Sequence, residues 1–227
     1  MIYKALTFLF GMVFLNMVLQ ILNVMKKVII IAAVLGIGFV SKAQTFSIGP
    51  TGGFGHSWIT NSTGDNKFNP AWNAGLSFIY STRSNFGVGA DVKYSAEGNK
   101  STKAGVTTNI NANYVRVPVK LIYFFGKPGS AVRPKISAGP SFGFLTESNE
   151  TSSVSGVKVK TDINDIKSFD FGVTAAAGLN FRVAPRTWLN TDLAFYQGLT
   201  DMTKSNNSTQ RNGNVGVNVG LLFGLGK

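Results

Sequence analysis

Beyond residue 44 the large apolar side chains recur at every second position, and no stretch carries the i, i+3, i+4, i+7 stripe of an amphipathic helix. The alternation runs through segments 46–58, 70–80, 86–96, 113–125, 134–145, 168–182, 188–197 and 214–224, which predict eight strands. In the fourth segment Val115, Val117, Val119, Leu121, Tyr123 and Phe125 share one face. In the last, Val215, Val217, Val219, Leu221 and Phe223 do so, and the positions between are Gly216, Asn218, Gly220, Leu222 and Gly224. A soluble sheet would present Lys, Glu or Thr to water on that second face. Its near bareness points to strands whose apolar face meets lipid and whose other face fills a narrow interior.

The links between strands alternate in length. Residues 60–68 form a medium link, 81–85 a tight one, 97–109 a long one and 126–132 a fairly short one; 146–166 is the longest, 184–187 is tight and 200–212 is long. Long outer loops and short inner turns characterise barrels of the outer membrane. A spanning sheet has to close on itself, because each unpaired amide in hydrocarbon costs several kcal/mol. Tilted strands of roughly 9–11 residues are long enough to cross. The expected fold is therefore all-β: an eight-stranded, antiparallel, up-and-down transmembrane β-barrel. Aromatic residues at strand ends (Trp58, Trp72, Tyr80, Tyr94, Tyr123, Phe125, Trp188 and Phe223) fit interfacial girdles.

Composition sharpens this picture. Of 227 residues 14% are charged, against about 25% in ordinary soluble domains, while Gly reaches 26, Phe 18 and the net charge +12. Residues 25–43 read as a signal peptide: Lys26 and Lys27 begin it, Val28 to Val40 is apolar, and Ser41-Lys42-Ala43 suits cleavage before Gln44. The apolar run is shorter than the roughly 20 residues a spanning helix needs. Residues 1–24 are apolar but interrupted by Asn16, Gln20 and Asn23, and read as an upstream extension before a start at Met25. The barrel domain is expected over 45–227.

On the inward parity lie Asp91, Lys93, Glu97, Arg116, Lys120, Lys135, Asp170, Arg182 and Asp192. Charges at membrane depth persist when they pair or reach water. Four acids against five bases suggest a lumen filled by an ion-pair network, and not a pore of single sign. Catalytic motifs are poorly supported. Ser141 in "GPSFG" sits mid-strand, where a nucleophile elbow needs a strand–turn–helix. His56 is the single histidine, and it alternates with Ser57 onto the opposite face. "GPTGGFG" at 49–55 has no following helix and no GK[ST], so it is no phosphate cradle. No cysteine occurs, so disulfides and thiolate chemistry are excluded. No catalytic residue, metal ligand or cofactor is expected. The basic excess lacks the stripe with interleaved aromatics that nucleic acid would require. Lys100, Lys103, Lys158, Lys160 and Lys204 fall in loops, where they would be solvated or meet lipopolysaccharide phosphates.

Four stretches together resemble a known family. "YVRVPVKLIYFF" (114–125), "PKISAGPSFGFL" (134–145), "DFGVTAAAGLNF" (170–181) and "FYQGLTDM" (195–202) are similar, in order, to strands of the Bacteroidetes outer-membrane β-barrel proteins called PorT-like or porin-family. The resemblance covers about 45–224. It departs at the terminus, where the chain ends on Lys227 and Phe223 is the nearest aromatic. The resemblance implies an outer-membrane location and an eight-stranded barrel, without implying one activity. The leading expectation is a non-catalytic scaffold in contact with outer-membrane lipid and lipopolysaccharide, its loops binding an extracellular ligand. The alternatives are a narrow porin-like channel for small solutes, or an accessory of a type IX secretion or gliding machine.

Overall fold

The computed structural model describes residues 45–62, 64–82, 84–154, 157–204 and 209–225. The expected signal peptide and upstream extension, and Lys227, lie outside them. The strands are β1 (Thr45–Ile59), β2 (Asp65–Lys67), β3 (Pro70–Ser81), β4 (Phe86–Lys103), β5 (Val106–Phe124), β6 (Val132–Val154), β7 (Val157–Asp162), β8 (Phe169–Ala184), β9 (Thr187–Gly198) and β10 (Asn212–Leu225). Neighbours pair antiparallel in the order β4-β3-β1-β10-β9-β8-β6-β5, and β5 pairs back to β4. That pairing closes a ring of eight strands and removes every edge within it. The short strands β2 and β7 attach outside the ring, on β4 and β6.

The alternation read from the sequence is the wall of this ring. Phe54, Leu76, Val92, Leu121, Leu193 and Val217 stand exposed on the outside. In water so continuous an apolar band would be an aggregation surface; against acyl chains it is the correct solvent contact. Ser47, Ser77, Asp91, Arg116, Lys135, Asp170 and Asp192 are buried on the inside.

Two interruptions of the ladder have a common cause. The β1–β10 pairing passes from Ile48↔Phe223 to Thr51↔Gly220, skipping Gly49 and Pro50. The β5–β6 pairing likewise passes from Pro118↔Ser141 to Leu121↔Ala138. Proline has no N–H to give a ladder, and the backbones close in beside it. A Cβ at Gly49 would strike the Leu221 carbonyl, and one at Gly139 the Val119 carbonyl.

The structure corrects the sequence reading at the loop end. Residues 97–109 are not a loop: β4 and β5 stay paired as far as Lys103↔Val106. They turn at Ala104 and Gly105, with φ of 47° and 79°. Two successive positive φ values fit the turn whose twist matches a hairpin. In the same way β6 continues through Glu147 to Val154, and β7 folds back on it. The inward face of these extensions is buried but polar, carrying Glu97, Asn99, Ser101 and Asn149, and Thr, Ser and Asn occupy the other parity as well, so the hydrophobic alternation vanishes while backbone pairing continues. Trp188, expected in a girdle, instead turns inward against Ile79, Ile122, Phe124 and Leu222.

Candidate functional site

The lumen gathers the buried charges among the described residues, and the pairing register explains how. Arg116 on β5 stands opposite Gly143 on β6, and Gly143 stands opposite Asp170 on β8. With no side chain on the middle strand, the guanidinium passes over Gly143 and its Nη2 donates to Asp170 Oδ2 at 2.8 Å. Lys135 on β6, Gly178 on β8 and Asp192 on β9 repeat the arrangement. Lys135 Nζ reaches Asp192 across that glycine. Inward glycines thus serve as gaps through which a base on one strand meets an acid two strands away.

Arg116 is the hub. Its Nε and Nη2 form a fork on the Glu97 carboxylate, the Nη2–Oε2 distance being 2.6 Å. Glu97 also accepts from the Ser95 hydroxyl (2.7 Å) and from the Asn212 side-chain amide. Asp170 accepts from Tyr196 Oη (2.8 Å) and Thr200 Oγ1 (3.1 Å). The Arg116 Cζ lies 3.9 Å from the Tyr196 ring centroid and 4.8 Å from that of Tyr114. A fork of charge-assisted bonds plus two aromatic faces satisfies a buried guanidinium well.

The second tier holds the remaining pairs. Lys120 Nζ donates to Asp91 Oδ2 at 2.8 Å, and Ser77 donates to the other Asp91 oxygen at 2.8 Å. Asp192 accepts in addition from Asn190 Nδ2 at 3.0 Å. Lys93, opposite Arg116 in the β4–β5 ladder, makes no ion pair among the described residues. It lines a cavity of about 40 Å³ together with Ser95, Arg116, Ser141 and Tyr196, room for about one water. Arg182 lies apart from all of these: it is exposed near the β8–β9 turn, its Cζ 6.0 Å from the Trp188 ring. The expected lumen network therefore does not include Arg182 among the described residues, because strand parity carries no information about depth.

Apolar layers cap the charged tiers. At the loop end Ile59, Ala112, Tyr114, Ile166 and Met202 form a buried cluster, with Ile110, Leu145 and Ile163 packed on it. Ile166 and Met202 come from loops folded over the mouth. At the short-turn end Ile79, Ile122, Phe124 and Leu222 form the second cluster, backed by Trp188.

Ser141 is buried on the lumen wall. His56 faces outward, its ring stacked on Phe68 at 5.1 Å and its Nδ1 accepting from the Asn69 N–H at 3.0 Å. The two therefore point to opposite sides of the wall and form no acid–base pair. Among the described residues no group of three or more Asp, Glu or His could hold a metal. Sequence reasoning missed Tyr114, Tyr196, Thr200 and Asn212. None of them is charged, and only the register reveals that they meet Arg116, Glu97 or Asp170.

A closed antiparallel ring with an apolar exterior and an ionic interior defines an integral β-barrel of the outer membrane. The model of the family described as "Outer membrane protein beta-barrel domain" matches residues 42–204, and the chain belongs to that family. Among solved structures, a major outer membrane protein of Thermus thermophilus superposes with a TM-score of 0.51 at 12% identity, over 81% of this chain and 100% of that one. Neisserial surface protein A gives 0.47 at 15% identity, over 79% of this chain and 99% of that chain. Ail, the attachment invasion locus protein of Yersinia pestis, gives 0.42 at 13% identity, over 81% and 100%. At these identities the Thermus barrel supports the shared fold alone. No curated protein matches.

Proposed function

We propose that this protein is a sealed, non-catalytic anchor of the outer membrane that presents the extended sheet at its loop end to a ligand or partner outside the cell. The observation that carries the reading is the filling of the lumen: an apolar layer at each mouth and two tiers of ion pairs between them. Four acids (Asp91, Glu97, Asp170, Asp192) and five bases (Lys93, Arg116, Lys120, Arg133, Lys135) share that interior, so along its length it offers no field of one sign to guide an ion. The network's role in this reading is to lock the wall, and not to conduct.

The presenting surface is the sheet β2-β4-β5-β6-β7. On it Val154, Val157 and Val159 are exposed beside Lys158 and Lys160. These lysines suit lipopolysaccharide phosphates, and Lys160 is held only loosely, 3.8 Å from Glu147 with both side chains largely exposed. Removal of residues 1–43 before insertion, and membership of the PorT-like Bacteroidetes branch, belong to the same reading.

Conductance across planar bilayers tests it. The refolded mature protein is expected to leave the membrane silent. Steady unitary conductance that disappears on Arg116→Ala or Asp170→Ala would replace the anchor with a channel.

A further inference from the structure

Arg133 enters β6 at the short-turn end and is 7% exposed. Its Nε and Nη2 are buried without a hydrogen-bond partner. Its one close neighbour of note is the Phe124 ring, 4.8 Å from Cζ. Arg116, Lys120 and Lys135 each have a carboxylate; Arg133, like Lys93, has none among the described residues, and two of its nitrogens are buried and unpaired. A guanidinium removed from water with donors unmatched is costly.

The same side chain borders a cavity of about 300 Å³ that lies at the short-turn end of the barrel. Phe124, Trp188 and Leu222 supply apolar walls; Ser47, Ser81 and Asn180 supply polar ones. Asn180 Oδ1 is buried and also lacks a partner among the described residues, while its NH₂, a donor suited to an acceptor in the cavity, is not among the buried unpaired atoms. The charge around the mouth is of one sign. No Asp or Glu occurs in 66–90, 121–146, 171–191 or 202–227, whereas Lys127, Arg182 and Arg186 belong to this end. A low-dielectric recess lined by one sign of charge concentrates counter-ions.

We propose that this vestibule binds a small organic carboxylate with an apolar body. The carboxylate sits on the Arg133 guanidinium and the Asn180 amide, and the body lies against Trp188 and Phe124. The volume is at the lower end for small-molecule pockets, which restricts the ligand to something the size of a single ring. The site opens away from the loop end and is independent of the anchor reading.

Benzoate titrated into the ¹⁵N-labelled mature barrel in micelles tests the proposal, read from the Trp188 indole and arginine Nε–Hε signals. Saturable shifts are expected. Arg133→Gln should weaken binding at least tenfold, Arg133→Lys should weaken it severalfold, and Lys160→Gln, at the opposite end of the barrel, should leave it unchanged. Acetate should bind more weakly than benzoate. Absence of saturable shifts, or equal affinity in the folded Arg133→Lys or Arg133→Gln protein, would overturn the proposal. Tighter binding of inorganic phosphate than of benzoate would also overturn it, by making the recess a phosphate site.

Discussion

Gly143 and Gly178 let the lumen charges meet, and the consequences of filling them differ. A Cβ on Gly143 would come within 2.9 Å of Arg116 Nη1, a side-chain end that yields by a few tenths of an ångström more readily than backbone does. A Cβ on Gly178 would collide with the Thr191 backbone carbonyl, which cannot. Gly178→Ala should therefore destabilise the barrel by about 1–3 kcal/mol in urea unfolding from micelles, and Gly143→Ala by clearly less. Removing one partner of the hub is harsher. Arg116→Leu leaves two buried carboxylates without their base, and a loss of about 3–5 kcal/mol is expected. Arg182→Gln, on the exposed rim, should stay within about 0.5 kcal/mol of the parent. Parity in the sequence pointed to eight of the interior charges, but it left out Arg133, which lies at the start of β6 and is buried, and included Arg182, which is exposed. It was silent on which acid meets which base, because that depends on a register set by all eight strands together. Tyr196 and Asn212 were illegible for the same reason.

At the loop end one carboxylate ties Thr203 to Gln210 beside the buried apolar cluster. Asp201 Oδ1 accepts from the Thr203 N–H (3.2 Å), the Thr203 hydroxyl (3.1 Å) and the Gln210 N–H (3.0 Å). The slight burial of Asp201 pushes its carboxyl upward, but those hydrogen bonds and Lys167 outweigh it and hold it below the usual carboxylate range. The sign follows: a depressed pKa stabilises the loop above the ordinary value near 3.8, and that contribution fades as pH falls through the folded-state value. This hub positions Met202, whose side chain is buried in the mouth cluster. Asp201→Ala should raise amide exchange across 199–204 severalfold while β9 and β10 keep their protection, and the parent loop should show the same rise only in acid. The strand cores were legible because lipid on one side enforces period two. The extensions of β4, β5 and β6 were not, because their inward positions hold polar residues such as Asn99, Ser101 and Asn149, and a run such as "STKAGVTTN" shows neither turn nor strand by hydrophobicity alone.

At the scale of the molecule, ring closure turns an otherwise aggregation-prone sheet into a membrane element. The eight strands return the chain to its starting side, and the pairing of β1 with β10 across Phe46↔Leu225 to Ile59↔Asn212 is the seam. The long strands β4, β5 and β6 then carry one side of the ring outward as a wall that bears exposed valines and lysines. The absence of native cysteine makes the arrangement directly readable. Single cysteines placed along β10 from Val215 to Leu221, spin-labelled in lipid bilayers, report collision with oxygen and with a water-soluble nickel reagent. Labels at Val215, Val217, Val219 and Leu221 should collide with oxygen alone, and labels at Gly216 and Asn218 with neither. Nickel access at the inward positions would mean an open, watery lumen, and loss of the two-residue alternation would mean that no barrel wall is there.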